Sequence, residues 1–250
     1  MNLTSLPQAY TQIVYLKISP DHKLSDNTSS AGQVWSATLD TIEKSEGYQR
    51  LYWGRSVEYP QNVQLHIVRA SHAEHQSSDV SFLDRLHPIL KEGSKPVVRH
   101  VAPMTTFTSS PTTAFDAPVT GTAIYVRTTE AWHEGSWPCW THIVRHVAGN
   151  SGISGGPIAE ALSDNDVLEG GAGGLESGKG ADLRQCYLVY VGWDSIKAHD
   201  DYHHTKHFRD HRVVLGIGNS GYREYGHQVF EGWRSKERKD TESASGSSKL

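Results

Sequence analysis

The residues of this chain best suited to acid–base chemistry are His66, His75, Tyr190 and His199, and they fall in two similar stretches. Val63-Gln-Leu-His-Ile-Val-Arg-Ala-Ser-His-Ala-Glu-His75 and Tyr187-Leu-Val-Tyr-Val-Gly-Trp-Asp-Ser-Ile-Lys-Ala-His199 both lead from an apolar extended run into a polar segment ending in histidine. Aligned on that ending, Ser71 falls on Ser195, His75 on His199 and His66 on Tyr190. Imidazole exchanges protons near neutral pH, and a phenol can donate to a developing enolate oxygen. Such a His/Tyr set suits proton abstraction beside a carbonyl, or polarisation of that carbonyl during a cyclisation.

Positioning these groups requires strands. Side chains one residue apart on a strand point to opposite faces, so Val63, Leu65 and Ile67 share one face while Gln64, His66 and Val68 share the other. Gln64 and His66 are therefore expected to face an interior cavity. Tyr15, Trp53, His100, Tyr125 and His227 lie on neighbouring predicted strands and are expected to complete a substrate-binding pocket with Gln64.

The wider pattern supplies the elements. Tyr10–Ile18 is β-branched and aromatic, and Val34, Trp35, Leu39 and Ile42 recur at helical spacing. Tyr48–Glu58, a Tyr-Pro-Gln-Asn turn and Val63–Arg69 read as a hairpin. Val80, Leu83, Leu86 and Ile89 predict a second helix within 77–90, and Lys95–Val101 a closing strand. The unit is β-α-β-β-α-β. In the second half, Thr122–Arg127, a helix over Trp137–Val147, Gln185–Trp193 and Gly221–Phe230 repeat the scheme. A repeat at about half the chain predicts a fused duplication, with units over 8–105 and 121–232, a Thr/Ser/Pro linker over 106–120, a flexible Gly-rich insertion over 163–182 and a disordered tail over 236–250.

Composition narrows the functions. The formal charge is −4 over 250 residues, and the basic cluster sits in Arg234–Lys239, so no nucleic-acid partner is expected. No run approaches the ~20 apolar residues of a membrane helix, and the first residues lack the pattern of a signal peptide. A cytoplasmic protein without a membrane partner, monomeric or homodimeric, is expected. Cys139 and Cys186 read as ordinary buried thiols.

His199, His203, His207 and His211 are spaced four apart, but a helix covering a sheet exposes such a stripe to water, and no further ligand motif completes a zinc set. No metal site is assigned. Gly216-Ile-Gly-Asn-Ser-Gly221 precedes a strand-like segment where a dinucleotide site needs a helix. Gly152-Ile-Ser-Gly-Gly-Pro157 has Ile153 where a chymotrypsin-like serine segment has Asp. No cofactor is expected.

Tyr52-Trp-Gly-Arg-Ser-Val-Glu58 and Val191-Gly-Trp-Asp-Ser-Ile-Lys-Ala-His-Asp-Asp-Tyr-His203, within paired β-α-β-β-α-β units, resemble the dimeric α+β barrel superfamily, which includes the antibiotic-biosynthesis monooxygenase, EthD and stress-responsive barrel families. The resemblance spans about residues 8–232. It implies an α+β fold of two ferredoxin-like repeats forming a pseudo-dimeric barrel within one chain, with a small apolar ligand inside. It also implies a cofactor-independent enzyme of secondary metabolism. Cyclisation, by aldol or Diels–Alder-type chemistry with His66, Tyr190, His75 and His199 as catalytic groups, is the first reading. A monooxygenase using dioxygen directly is the second, and a non-catalytic binding barrel the third. Some relatives in the superfamily bind haem through a histidine, which would fall on His199.

Overall fold

The strand Asn62–Arg69 carries the alternation that organises the first half of the molecule: Val63, Leu65 and Ile67 are buried in one apolar core with Trp35, Leu39 and Ile42 of the first helix. The computed structural model describes residues 10–70, 80–101, 105–106, 113–158 and 186–236, with the side chains of 105–106 and 223–225 excepted. His75, most of the Gly-rich insertion's expected surroundings, the insertion itself and nearly all of the expected tail lie outside these residues.

In chain order the elements are β1 (Tyr10–Lys17), α1 (Ser30–Glu43), β2 (Tyr48–Ser56), β3 (Asn62–Arg69), a 3₁₀ helix over Ser81–Ile89, and β4 (Val97–Val101). There follow β5 (Thr105–Thr106), a 3₁₀ turn over Ala114–Asp116, β6 (Val119–Tyr125), a π-helical turn over Ala131–Ser136 running into α2 (Trp137–Val144), β7 (Asn150–Pro157) and β8 (Tyr187–Trp193). The chain continues with α3 (Ile196–His203), α4 (Lys206–His211), a 3₁₀ turn over Arg212–Gly216, and β9 (Tyr222–Ser235). The chain divides into two compact units. One comprises the chain up to Arg55, Tyr59–Val98 and the stretch from Glu231 onward; the other comprises Ser56–Glu58 and Arg99–Phe230.

In the first unit the strand order is β4-β1-β3-β2, with the end of β9 beside β2. β3 pairs antiparallel with β1 and with β2. α1 starts where Ser29 Oγ accepts the Gly32 N–H, an N-cap that satisfies one of the otherwise orphaned donors. Gly32 is there because a Cβ would stand 1.9 Å from the Asp26 carbonyl oxygen. The expected second helix is a 3₁₀ helix. Its three-residue spacing, Leu83, Leu86, Ile89, matches three residues per turn rather than 3.6, and Pro88 removes a donor that an α-helix would use.

In the second unit the order is β9-β6-β8-β7-β5, every pairing antiparallel. β6, β8 and β7 place Val119, Ala123, Tyr125, Tyr187, Val189, Trp193 and Ile153 in a core with Trp132, Trp137, Trp140 and Tyr202. The opposite face is covered locally by residues 113–117, inside the stretch expected to be a linker. Phe115 sits edge-on to Tyr190 at 5.1 Å and to Phe230 at 4.9 Å. Glycines permit this approach: a Cβ at Gly192 would lie 2.6 Å from the Ala117 methyl, and one at Gly152 would lie 2.9 Å from the Ala114 nitrogen. The Gly152–Pro157 segment is therefore β-strand with close-approach glycines.

The expected helix over Trp137–Val147 begins earlier, as a π turn, and its α-helical part ends at Val144. The histidine stripe is not one helix. Thr205 Oγ1 accepts the Phe208 N–H and starts α4 afresh, so the stripe is cut into the pairs His199/His203 and His207/His211. Cys186 is buried as expected, but Cys139 is exposed on α2. Among the described residues no helix is long and apolar enough to cross a membrane.

Candidate functional site

Two of the sequence-selected residues, His199 and His227, meet in the second unit. Ser195 caps α3 by accepting the Ala198 N–H, which sets the first turn and aims His199 at the sheet. β6 pairs Gly121 with His227. A Cβ at Gly121 would come within 3.0 Å of His199 Cε1, so the missing side chain is the space the imidazole occupies. His199 Nδ1 and His227 Nε2 lie 2.9 Å apart. The His199 ring stacks on Trp193 at 4.8 Å, and His203, half-buried, stands edge-on to it at 4.5 Å.

Glu58 completes this set. Its Oε1 is 2.5 Å from His227 Nδ1, and its Oε2 accepts the His227 backbone N–H at 2.9 Å and the Ser56 hydroxyl at 3.3 Å. The glycine beside it is again a matter of room, since a Cβ at Gly226 would be 3.2 Å from Glu58 Oε2.

Burial sets the protonation states. His199 is pushed down to about 3, chiefly by loss of solvation and then by the neighbouring His203 and His227, so it is neutral at physiological pH. His203 is lowered in the same way, burial leading, with Asp200 opposing. For Glu58 burial acts to raise the carboxyl, but the backbone and ring hydrogen bonds from His227 outweigh it and hold the group below the usual carboxylate range.

The remaining candidates are dispersed. His66 is fully buried on the face of β3 away from α1, where its Nε2 lies 3.0 Å from Gln64 Oε1, and burial lowers it to about 3. An amide oxygen only accepts, so His66 Nε2 carries the proton. Tyr52 lies opposite His66, and half-buried Tyr15 lies opposite Gln64, on this same face. Trp53 does not. It faces α1, edge-on to Trp35 at 6.4 Å, with Gly232 leaving room for its ring. Tyr125 stacks on Trp132 at 4.3 Å in the helix-side core, and His100 is half-buried on β4. Tyr190 is fully buried beneath Phe115.

Sequence reasoning missed Glu58, Trp193 and Gly121. Glu58 and Trp193 both lie within the two motifs that carry the family resemblance, which was the available signal. Among the described residues no group of three or more His, Cys, Asp or Glu side chains is placed to hold a metal ion.

No family model matches the sequence, and no curated protein matches it. Solved structures do resemble it. An anthrone oxidase-like protein is 12% identical with a TM-score of 0.56, over 92% of this chain and 94% of that one. A protein provisionally assigned as a monooxygenase from Lactobacillus acidophilus NCFM is 12% identical with a TM-score of 0.53, over 92% and 97%. Another so assigned, from Fusobacterium nucleatum, is 8% identical with a TM-score of 0.52, over 93% and 96%. These likenesses show the fold, an α+β ferredoxin-like arrangement shared over most of each chain.

Proposed function

We propose that this protein is an enzyme that removes a proton from a small apolar molecule, next to a carbonyl or on a phenol, with His199 as the base. The observation that carries the reading is the buried pair His199–His227 on the helix-side face of the second unit, with His199 neutral and stacked on Trp193. A neutral imidazole in an apolar wall can accept a proton, and the aromatic surroundings suit a flat, conjugated substrate.

The enolate or phenolate then reacts with dioxygen. For an activated methylene the balance closes on substrate and dioxygen alone: the carbon gains a doubly bonded oxygen, the second oxygen atom leaves as water with the two hydrogens, and the substrate supplies all four electrons. Support for this fate over cyclisation comes from the names given to the fold neighbours, monooxygenases and an anthrone oxidase-like protein.

Anthrone is the first probe. Dioxygen uptake with a product bearing one added carbonyl oxygen, slowed by about 10²-fold or more in His199→Ala, is expected. A product isobaric with a polyketide precursor, formed equally well without dioxygen, would assign cyclisation instead. Unchanged turnover in His199→Ala would remove His199 from the chemistry.

A further inference from the structure

We propose that Glu58, His227 and His199 form one proton relay, in which Glu58 fixes the tautomer of both imidazoles and is the port through which a proton taken up at His199 Nε2 leaves for water. The activity part of this inference rests on the reading of His199 as base; the wiring does not.

The wiring follows from donor and acceptor inventory. An ionised carboxylate only accepts. Glu58 Oε1 faces His227 Nδ1, and Oε2 is already taken by the His227 backbone N–H and Ser56. His227 Nδ1 must therefore carry the proton, which on a ring bearing a single N–H leaves the lone pair at Nε2. That atom lies 2.9 Å from His199 Nδ1, which must then be the donor. The lone pair of His199 is left at Nε2. A single carboxylate thus dictates which nitrogen of a histidine two bonds away is basic.

The relay also answers a difficulty in using His199 as base. Burial makes its conjugate acid strongly acidic, so the ring holds a captured proton poorly. When Nε2 gains a proton, the Nδ1 proton passes to His227 Nε2 and the His227 Nδ1 proton passes to Glu58 Oε1. Charge balances: one proton enters, the carboxylate becomes a neutral acid, and both imidazoles end neutral. The carboxyl can then release the proton, because the Glu58 side chain is 37% exposed where that of His227 is 6% exposed. The starting tautomers return when the shifts run in reverse: a proton from water re-enters at Glu58 Oε1 and passes to His227 Nδ1, the His227 Nε2 proton passes to His199 Nδ1, and the His199 Nε2 proton goes to the reduced oxygen that leaves as water.

Glu58→Gln tests this directly. Glutamine has one acceptor oxygen where the ring and backbone N–H groups of His227 must both be met, the Ser56 hydroxyl being free to rotate. Keeping that oxygen on the His227 backbone N–H turns the amide NH₂ toward His227 Nδ1, which must become an acceptor. His227 then carries its proton at Nε2 and donates to His199 Nδ1, whose own proton moves to Nε2. Long-range ¹H–¹⁵N correlation of the histidine rings at neutral pH reads this without any substrate. The expected result is Nδ1–H at both rings in the wild type, Nε2–H at both in Glu58→Gln, and the wild-type pattern in Glu58→Asp, which keeps two acceptors. Nε2–H at either ring of the wild type, or Nδ1–H retained at both in Glu58→Gln, would overturn the relay. The wild-type spectrum alone is decisive should the glutamine variant fail to fold. With anthrone, Glu58→Gln should lower the turnover rate at least about 10-fold with little change in KM. Inverted tautomers together with full turnover in His199→Ala would uphold the wiring and sink the reaction reading.

Discussion

Acid should destabilise this fold well above the range where carboxylates titrate, because two deeply buried histidines are held neutral. His66 and His199 each fall from 6.5 to about 3 on folding, burial being the leading cause in both. Between those values the unfolded chain binds a proton at each position that the folded chain refuses, so stability falls as pH falls. Each group then removes about 1.4 kcal/mol per pH unit once the pH is below 6.5. From about pH 7.5 to about pH 5.5 the loss is about 1.4 kcal/mol per histidine and about 3 kcal/mol for the pair. The magnitude is insensitive to the folded-state value, since any value well below 5.5 gives the same result. Glu231, raised by burial, titrates in the opposite sense, so single variants carry the test rather than the total slope. Urea unfolding of wild type, His66→Leu and His199→Leu at the two pH values measures it. Each variant should lose about 1.4 kcal/mol less than the wild type over the interval, whatever its stability at the higher pH. Parallel losses in all three proteins would refute the claim that these imidazoles are neutral because they are buried.

Gly121→Ala should displace the His199 ring by a few tenths of an ångström, since the new Cβ would meet Cε1 at 3.0 Å and Nδ1 at 3.3 Å. Turnover with anthrone should fall about 10-fold or more while the unfolding midpoint moves little, which kinetics and denaturation together will show. Phe115→Ala removes a ring wedged between Tyr190 and Phe230 and should cost about 3 kcal/mol, with Tyr190 becoming accessible to iodination. Gly32→Ala would set a Cβ 1.9 Å from the Asp26 carbonyl; it should destabilise the first unit by more than the ~1 kcal/mol that Ser29→Ala costs through its lost cap, as measured by urea midpoints.

The β-α-β-β-α-β order of the first half was legible because it depends on periodicity and turn residues, which are local; in the second half the strand Asn150–Pro157 was not, because its glycine-rich sequence carries no apolar alternation. The faces of β3 were legible for the same reason: alternation placed Gln64 and His66 away from the Leu65 core. Trp53 was not, because the phase of β2 is set by its pairing with β3, and a register shift between Tyr48 and Arg50 intervenes. Tyr52, not Trp53, therefore shares the His66 face. Tyr190 has the alternation expected of it, yet the stretch read as linker lays Phe115 across it. The glycines at 152 and 192 were the sign that backbone would approach there, but glycine alone does not say from where.

Glu58 marks the physical limit of such reading. It stands 169 residues from His227, two residues past the end of β2, whose own residues are explained by packing, and a surface carboxylate is ordinary. What makes it functional is a coincidence of three non-local facts: the segment 56–58 lies along His227 with Val57 N–H donating to the His227 carbonyl, Gly226 clears space for the carboxylate, and Gly121 clears space for His199. The two glycines and the acid were each visible in the sequence. Only strand pairing, which joins Gly121 to His227 in register, turns them into one arrangement, and the same pairing makes the basicity of His199 depend on a side chain it never touches.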